Sequence, residues 1–237
     1  MSFLLLVYNE IFYKPLLNGL VFLTTILPLH DLGLAIILLT VIIKIATFPL
    51  THSMMKTQKA MKLIEPEIKK IYAATKNKEE QARALTEIYK QHGINPLSGF
   101  SALLIQFPLL LALFQVFKND IFSNQQYLYS FIKISESTNT VFLGLISLGS
   151  PNSAVSFLAA ISQYLQMKLA VSTTPSSAGT GAAEAQKVMI YVLPVMILMI
   201  GFSMPAAVSL YWTAMNVFAI IHEAVVRRKA KKAGAAS

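Results

Sequence analysis

The chain has 237 residues, of which 55% are hydrophobic and 13% are charged, and its formal net charge is +9. Soluble domains carry about 25% charged residues, so this composition excludes an ordinary soluble protein and favours an all-α polytopic membrane protein. The chain contains no cysteine, which excludes a disulfide framework within these residues.

The N-terminal stretch, residues 1–30, is apolar but is interrupted by Asn9, Glu10 and Pro15. The apolar run after Pro15 ends at Pro28, and it is too short to cross a hydrocarbon layer of about 30 Å. We therefore predict that residues 1–30 form an interfacial amphipathic segment, which lies on the membrane. A kinked additional span is the alternative.

The first predicted membrane span covers residues 31–51. Its polar side chains include Thr40, Lys44 and Thr47, and steps of four and three residues place them on one face of a helix. A charge inside a membrane is costly and usually marks a functional site. Lys44 is therefore the leading candidate for a functional residue.

Residues 52–93 differ from the first span, because they hold nine Lys or Arg residues and five Glu residues. Apolar residues still recur at helical spacing, and the polar run Lys76-Asn77-Lys78 separates two helical limbs. The pattern predicts an antiparallel helical hairpin on the cytoplasmic side.

The rest of the chain alternates apolar and polar stretches. We predict a second span (94–117), an external loop (118–151), a third span (152–170), a flexible cytoplasmic linker (171–187), a fourth span (188–203), a fifth span (206–226) and a basic cytoplasmic tail (227–237). Several polar or amphipathic residues lie within these spans, namely Gln106 in the second, Gln163 in the third, and Trp212, Thr213 and Asn216 in the fifth.

The distribution of basic residues predicts the orientation of this five-helix bundle. With the hairpin, linker and tail on one side, that side holds sixteen of the twenty Lys and Arg residues, and the other side holds three. Short loops rich in Lys and Arg stay in the cytoplasm, so the bundle should start outside and end inside. The same residues can meet anionic lipid headgroups, and we expect no specific nucleic-acid binding beyond contact with a ribosome.

Lys44 has no acidic partner at mid-span in the sequence, since every Asp and Glu lies at or beyond the predicted span ends. Polar stripes on the first, third and fifth spans, together with Gln106, could surround Lys44 with water. We therefore predict a cationic, hydrophilic groove that attracts an acidic or polar segment of a partner. Ser and Thr stripes alone would be weak evidence, because these residues commonly serve helix contacts.

The chain resembles the YidC/Oxa-type membrane protein insertases. The resemblance rests on the five-span plan, the charged hairpin, the sequence NPLSGFSALLIQFPLLLALF after that hairpin, and Pro205 followed by SLYWTAMN, and it covers residues 28–228. It implies a groove open to the cytoplasm and to the lipid but closed to the outside. The groove would accept the polar tail of a nascent membrane protein, whose apolar segment then passes the third and fifth spans into the bilayer.

By this resemblance, Lys44 occupies the position of the groove charge, and Thr40 and Trp212 fall at substrate-contacting positions. Bacterial members usually have arginine where this chain has Lys44, so the positive charge is kept and the planar fork of arginine is lost. The resemblance places the protein in the bacterial cytoplasmic (inner) membrane. Its partners would be nascent membrane proteins and the lipid bilayer, with the ribosome and the Sec translocon as further candidates.

Two other classes of function are weighed against this one. The four histidines lie at or beyond span ends, and neither metal-ligand spacing nor paired carboxylates occur within the spans, so we expect no enzyme, no metal and no cofactor. A small-molecule or ion transporter would predict repeated halves and intramembrane acids. An accessory subunit of a larger translocase is the remaining alternative.

Overall fold

The computed structural model of the protein is mostly helical. It describes residues 3–49, 57, 60–61, 63–75, 77–95, 101–118, 125–133, 135, 137–171 and 181–234, with the backbone alone at 101–106, 171, 181–187, 227 and 229–234. Much of the predicted linker, residues 172–180, lies outside the described residues.

The N-terminal segment is helical from Phe3 to Ile26. It comprises α1 (Phe3–Tyr8), a π-helical turn (Asn9–Tyr13) and α2 (Lys14–Ile26), and the backbone stays helical at both junctions. Asn18 of α2 is 2% exposed, donates to the carbonyl of Tyr127 over 3.0 Å and accepts from the amide of Tyr129 over 2.7 Å. Asn18 therefore links α2 by two hydrogen bonds to the loop that follows the second predicted span.

The next helix is α3 (Leu32–Ala46), which begins at a strong N-cap. The buried carboxylate of Asp31 accepts hydrogen bonds from the amides of Gly33 (2.7 Å) and Leu34 (3.1 Å) through one oxygen. Its other oxygen accepts from the amide of Leu143 over 2.7 Å. Asp31 thus satisfies the start of α3 and also binds a segment more than a hundred residues away.

That distant segment is a small β-hairpin. Strands β1 (Val141–Phe142) and β2 (Ile146–Ser147) pair antiparallel, and Leu143 and Gly144 turn between them with positive φ. The amide of Leu32 donates to the carbonyl of Asn139 over 2.9 Å. We call Asp31, Asn139 and the β-hairpin the outer clasp.

Two helices, α4 (Glu65–Ala74) and α5 (Lys78–Gln91), pack against each other as a hairpin. The Asn77 side chain caps α5 by accepting from the amide of Glu79 over 3.0 Å. Apolar residues of both limbs form one cluster around Ile68, which is 7% exposed. The apolar residues of this charged stretch therefore pack α4 and α5 against each other.

The remaining helices are α6 (Ser101–Lys118), α7 (Ser153–Val171), α8 (Gly181–Gly201) and α9 (Ala206–Gly234). The starts of α3 and α9 lie at the outer clasp, because the amide of Ala207 donates to the carbonyl of Leu148 over 3.1 Å. Helix α7 begins a few residues after β2, and the end of α8 packs at the starts of α7 and α9.

The direction of the helices alternates along the chain. Helices α3, α7 and α9 run away from the outer clasp, whereas α8 runs toward it. Helix α6 also ends near the clasp, since Val116 and Phe117 share a buried cluster with Leu148 and Ala207. Such alternation is what consecutive spans of one bundle require.

Length and composition identify one described stretch, Ala206–Val226, as able to cross a membrane. Shorter apolar helices cover Leu32–Ala46, Phe107–Lys118 and Val188–Gly201. The count of five spans therefore stays a prediction from the sequence.

A close contact between three helices yields a test of this packing. A Cβ atom on Gly201 would lie 2.6 Å from the Ser156 hydroxyl oxygen and 2.9 Å from the Ser209 hydroxyl oxygen. We expect Gly201→Ala to lower the free energy of unfolding in detergent by about 2 kcal/mol, because the packed helices must separate. Gly149→Ala is the matched control, since a Cβ there meets nothing within 4 Å. Equal stability of both variants would contradict this packing.

Candidate functional site

The candidate site begins on α3, at Thr40. Thr40 is 2% exposed, and its hydroxyl donates to the carbonyl of Ile36 over 2.6 Å. Thr47 follows the end of the helix and donates to the carbonyl of Ile43 over 2.8 Å. Both hydroxyl protons are therefore used by the helix itself, so each side chain can offer a ligand only its oxygen lone pairs.

Lys44 lies one turn after Thr40, on the same face of α3, and it is half-buried. The described residues contain three ion pairs, Lys14–Glu10, Lys69–Glu65 and His92–Glu67, and Lys44 takes part in none of them. A half-buried ammonium group that lacks a carboxylate partner attracts negative charge from whatever enters beside it.

Helix α9 lies beside α3 and runs parallel to it. The rings of Phe48 and His222 meet edge to face with centroids 5.0 Å apart. Since both helices start at the outer clasp, this contact sets their register and places Lys44 at the depth of Phe218 on α9. Twelve residues separate Lys44 from Leu32, which is about 18 Å along the helix axis.

The polar residues predicted on the third and fifth spans meet one another. The indole N–H of Trp212 donates to the Gln163 side-chain oxygen over 2.9 Å, and the Asn216 amide donates to the Ser162 hydroxyl over 3.1 Å. Nearer the clasp, the hydroxyls of Ser156 and Ser209 lie 3.5 Å apart. We call these three pairs the polar seam between α7 and α9.

Most members of the polar seam are shielded from solvent. Gln163 is 6% exposed and Asn216 is 2% exposed, whereas Trp212 is half-buried. Thr213 is also half-buried, and its hydroxyl donates to the carbonyl of Ser209 over 2.8 Å. The structure thus places Gln163 and Asn216 in a helix interface, and it leaves Trp212 and Thr213 at the edge of that interface.

The predicted site residues therefore divide into two groups. Gln163, Trp212, Thr213 and Asn216 lie along the polar seam, and Thr40, Lys44 and Thr47 lie along α3. The backbone of Gln106 belongs to α6, but its side chain lies outside the described residues.

Burial differs between the two ends of the bundle. The largest buried cluster contains residues of α2, the start of α3, the end of α6 and the start of α9. Farther along α3, Thr40 is the one buried residue, and Ile42 and Ile45 are 46% and 61% exposed. Among the described residues, side chains near the outer clasp are therefore buried in a packed cluster, whereas residues 41–46 of α3 are half-buried or exposed.

Sequence reasoning missed the outer clasp and one residue of the polar seam, Ser162. Asp31 immediately before an apolar helical run was a usable N-cap signal. Nothing local in the sequence indicates that Asp31 also binds Leu143. Among the described residues, no group of three His, Asp or Glu side chains is arranged to hold a metal ion.

Comparison with known proteins identifies the family. The profile described as "60Kd inner membrane protein" matches residues 22–233. A Fusobacterium nucleatum protein named "Membrane protein insertase YidC" is 34% identical over 220 residues, and the match covers 92% of this chain and 97% of that protein. The chain belongs to the YidC/Oxa family. The resemblance stated from the sequence is thereby confirmed.

Other relatives agree with membership of the YidC/Oxa family. "Membrane protein insertase YidC 2" of Bacillus anthracis is 29% identical over 241 residues, which cover 98% of this chain and 86% of that protein. A crystal structure of an active YidC insertase, with its first transmembrane domain resolved, matches this chain with a TM-score of 0.58 and 24% identity. The match covers 92% of this chain and 46% of that chain, so it shows a shared fold over about half of the solved protein.

Proposed function

We propose that this protein is a membrane protein insertase of the bacterial inner membrane. It receives polar or acidic segments of nascent membrane proteins in a cationic hydrophilic groove, and it releases their hydrophobic segments into the lipid bilayer. The observation that carries this proposal is Lys44, a half-buried cation without an ion pair among the described residues, on the less buried stretch of α3.

The groove would lie between α3 and the edge of the polar seam. Lys44 would attract the acidic segment, and Thr47 would offer an oxygen atom along the same face. Thr40 lies on that face too, but it is 2% exposed and would support the groove from within the packed helices. Trp212 and Thr213 would form the opposite border, and Gln106 would contribute from α6. The packed cluster near the outer clasp supports closure of the groove at that end.

We infer an orientation in which the outer clasp faces outside and the α4–α5 hairpin lies in the cytoplasm. The excess of basic residues in the hairpin, linker and tail supports this orientation. The alternating helix directions place the starts of α3, α7 and α9 on one side, and the distribution of basic residues then assigns that side to the outside. The C-terminus would be cytoplasmic, where the ribosome and the Sec translocon are candidate partners.

Transfer of a polar segment would rest on electrostatics and hydration, without covalent chemistry. A charged side chain at the centre of a helix in a bilayer costs about 3 kcal/mol on insertion scales. A hydrated groove with one positive charge lowers that cost for an acidic segment. The apolar segment of the same client then gains free energy by entering lipid, in proportion to the area it buries.

Purified protein in proteoliposomes tests the proposed function. The client is a small single-span protein with an acidic translocated tail, and protection of that tail from added protease measures insertion. We expect protection with this protein and background protection in protein-free liposomes. If protection stays at background, the protein is not an autonomous insertase, and an accessory translocase subunit or a transporter becomes the better hypothesis.

A further inference from the structure

Trp212 and Gln163 are joined by a hydrogen bond, and they differ in burial. The indole N–H of Trp212 is a donor only, and a buried donor of this kind needs an acceptor. Gln163 supplies that acceptor over 2.9 Å and is itself 6% exposed, whereas Trp212 is half-buried. The indole N–H of Trp212 therefore points toward α7, and part of the residue stays accessible.

Gln163 is held in place from both ends of its amide. While its oxygen accepts from Trp212, its nitrogen donates to the side-chain oxygen of Gln166 over 3.4 Å. Gln166 is one turn farther along the same helix, so the pair orients the amide with its oxygen toward Trp212. An amide held in this way fixes the side chain that it binds.

The spacing of α7 and α9 does not depend on Gln163 alone. Ser162 and Asn216 form a buried hydrogen bond on the same seam, and Ser156 and Ser209 meet nearer the clasp. Neither contact includes Gln163, so we expect both to remain when Gln163 is replaced. The Gln163–Trp212 contact can therefore orient one side chain while the other two hold the helices together.

We propose that Gln163 is a positioning residue that presents the apolar face of Trp212 to clients and keeps the indole N–H away from them. This inference rests on the proposed function, because the client segment is what Trp212 would meet. A hydrophobic segment leaving the groove then slides past a ring surface. An unbound indole N–H would instead donate to client carbonyl groups and retain the segment.

Trp212 is the only tryptophan of the chain, so its fluorescence reports on this contact alone. In Gln163→Leu, the N–H loses its acceptor and turns to water or to the client. We expect a red-shifted emission maximum and stronger quenching by acrylamide in the purified full-length protein. The matched control is Gln115→Leu, the same substitution on α6, where the side-chain oxygen accepts from the Tyr8 hydroxyl over 3.2 Å and not from Trp212. Its emission should equal that of the parent.

Insertion of the acidic-tailed client supplies the functional readout. Loss of one neutral hydrogen bond changes an equilibrium or rate constant by about fivefold. We therefore expect the insertion rate of Gln163→Leu to be about fivefold lower than that of the parent. In the Trp212→Phe background, Gln163→Leu should cause no further loss, because the donor is already absent. A purely structural role of Gln163 would instead add its full effect in both backgrounds.

The outcomes separate this inference from the proposed function. If the parent inserts the client and Gln163→Leu inserts it equally fast, the positioning role is overturned and the insertase stands. Unchanged emission of Gln163→Leu would overturn the contact itself. If the parent fails to insert, the proposed function fails, and the positioning role falls with it whatever the emission shows.

Discussion

Replacement of Lys44 by alanine is expected to slow the insertion of acidic-tailed clients by about thirtyfold. This estimate takes a carboxylate about 8 Å from the ammonium group at an effective dielectric constant of about 20, which gives about 2 kcal/mol. Insertion rates in proteoliposomes, measured by protease protection, check the change. The effect should be large because no described ion pair competes for this lysine.

Two controls test whether the effect of Lys44→Ala comes from loss of the positive charge. Lys44→Arg keeps the positive charge and should insert the acidic client at close to the parental rate, although arginine adds a planar fork that lysine lacks. A client whose tail carries Asn and Gln in place of Asp and Glu should be inserted at similar rates by the parent and by Lys44→Ala. Equal rates of the parent, Lys44→Ala and Lys44→Arg on the acidic client would refute a role for the charge.

Ionic strength offers a further check on the same variant. If the groove is open to water, added salt should screen the attraction, since the Debye length falls from about 10 Å at 0.1 M to about 3 Å at 1 M. The advantage of the parent over Lys44→Ala should therefore shrink as salt increases. A constant advantage would place Lys44 in a site that ions do not reach.

A structural element is easiest to predict from sequence where one helix face carries the signal. The apolar stripe around Ile68 and the separator at Asn77 lie within one continuous stretch, and the structure has two packed helices there. Lys44 stood out because a charge within an apolar run is rare. Each of these signals is local, so no knowledge of distant contacts was needed.

Pairing between distant segments could not be predicted in the same way. Helical spacing showed that Gln163 shares a face with other polar residues, and the same was true of Asn216. Whether such faces line a groove or meet each other depends on how two helices are rotated and shifted, and the spacing does not contain that information. The structure places both residues in the polar seam, and only Trp212 and Thr213 stay at its edge.

The outer clasp is a second case of long-range pairing, and it yields the largest expected effect on stability. Asp31→Ala should lower the free energy of unfolding in detergent by about 3 kcal/mol. Loss of the N-cap of α3 accounts for about 1 kcal/mol, and the unpaired amide of Leu143 accounts for about 2 kcal/mol. Equilibrium unfolding by denaturant in detergent micelles, compared with the parent, measures this change.

Asp31→Asn separates the two contributions. Asparagine keeps one oxygen, which can still accept from the amides of Gly33 and Leu34, and it is as good an N-cap as aspartate. Its nitrogen cannot accept from the amide of Leu143, so this variant should lose only the contact with the β-hairpin. We expect it to be intermediate in stability, about 2 kcal/mol below the parent.

Hydrogen exchange locates the change within the outer clasp. In Asp31→Asn, exchange should speed up in the peptide that spans residues 137–147, while the start of α3 stays protected as in the parent. In Asp31→Ala, both regions should exchange faster. If the two variants lose equal stability, the contact with Leu143 would carry the whole effect. If Asp31→Asn is as stable as the parent, the N-cap would carry it. Closure of the proposed groove at this end would then depend on packing of the buried cluster and not on the link between Asp31 and Leu143.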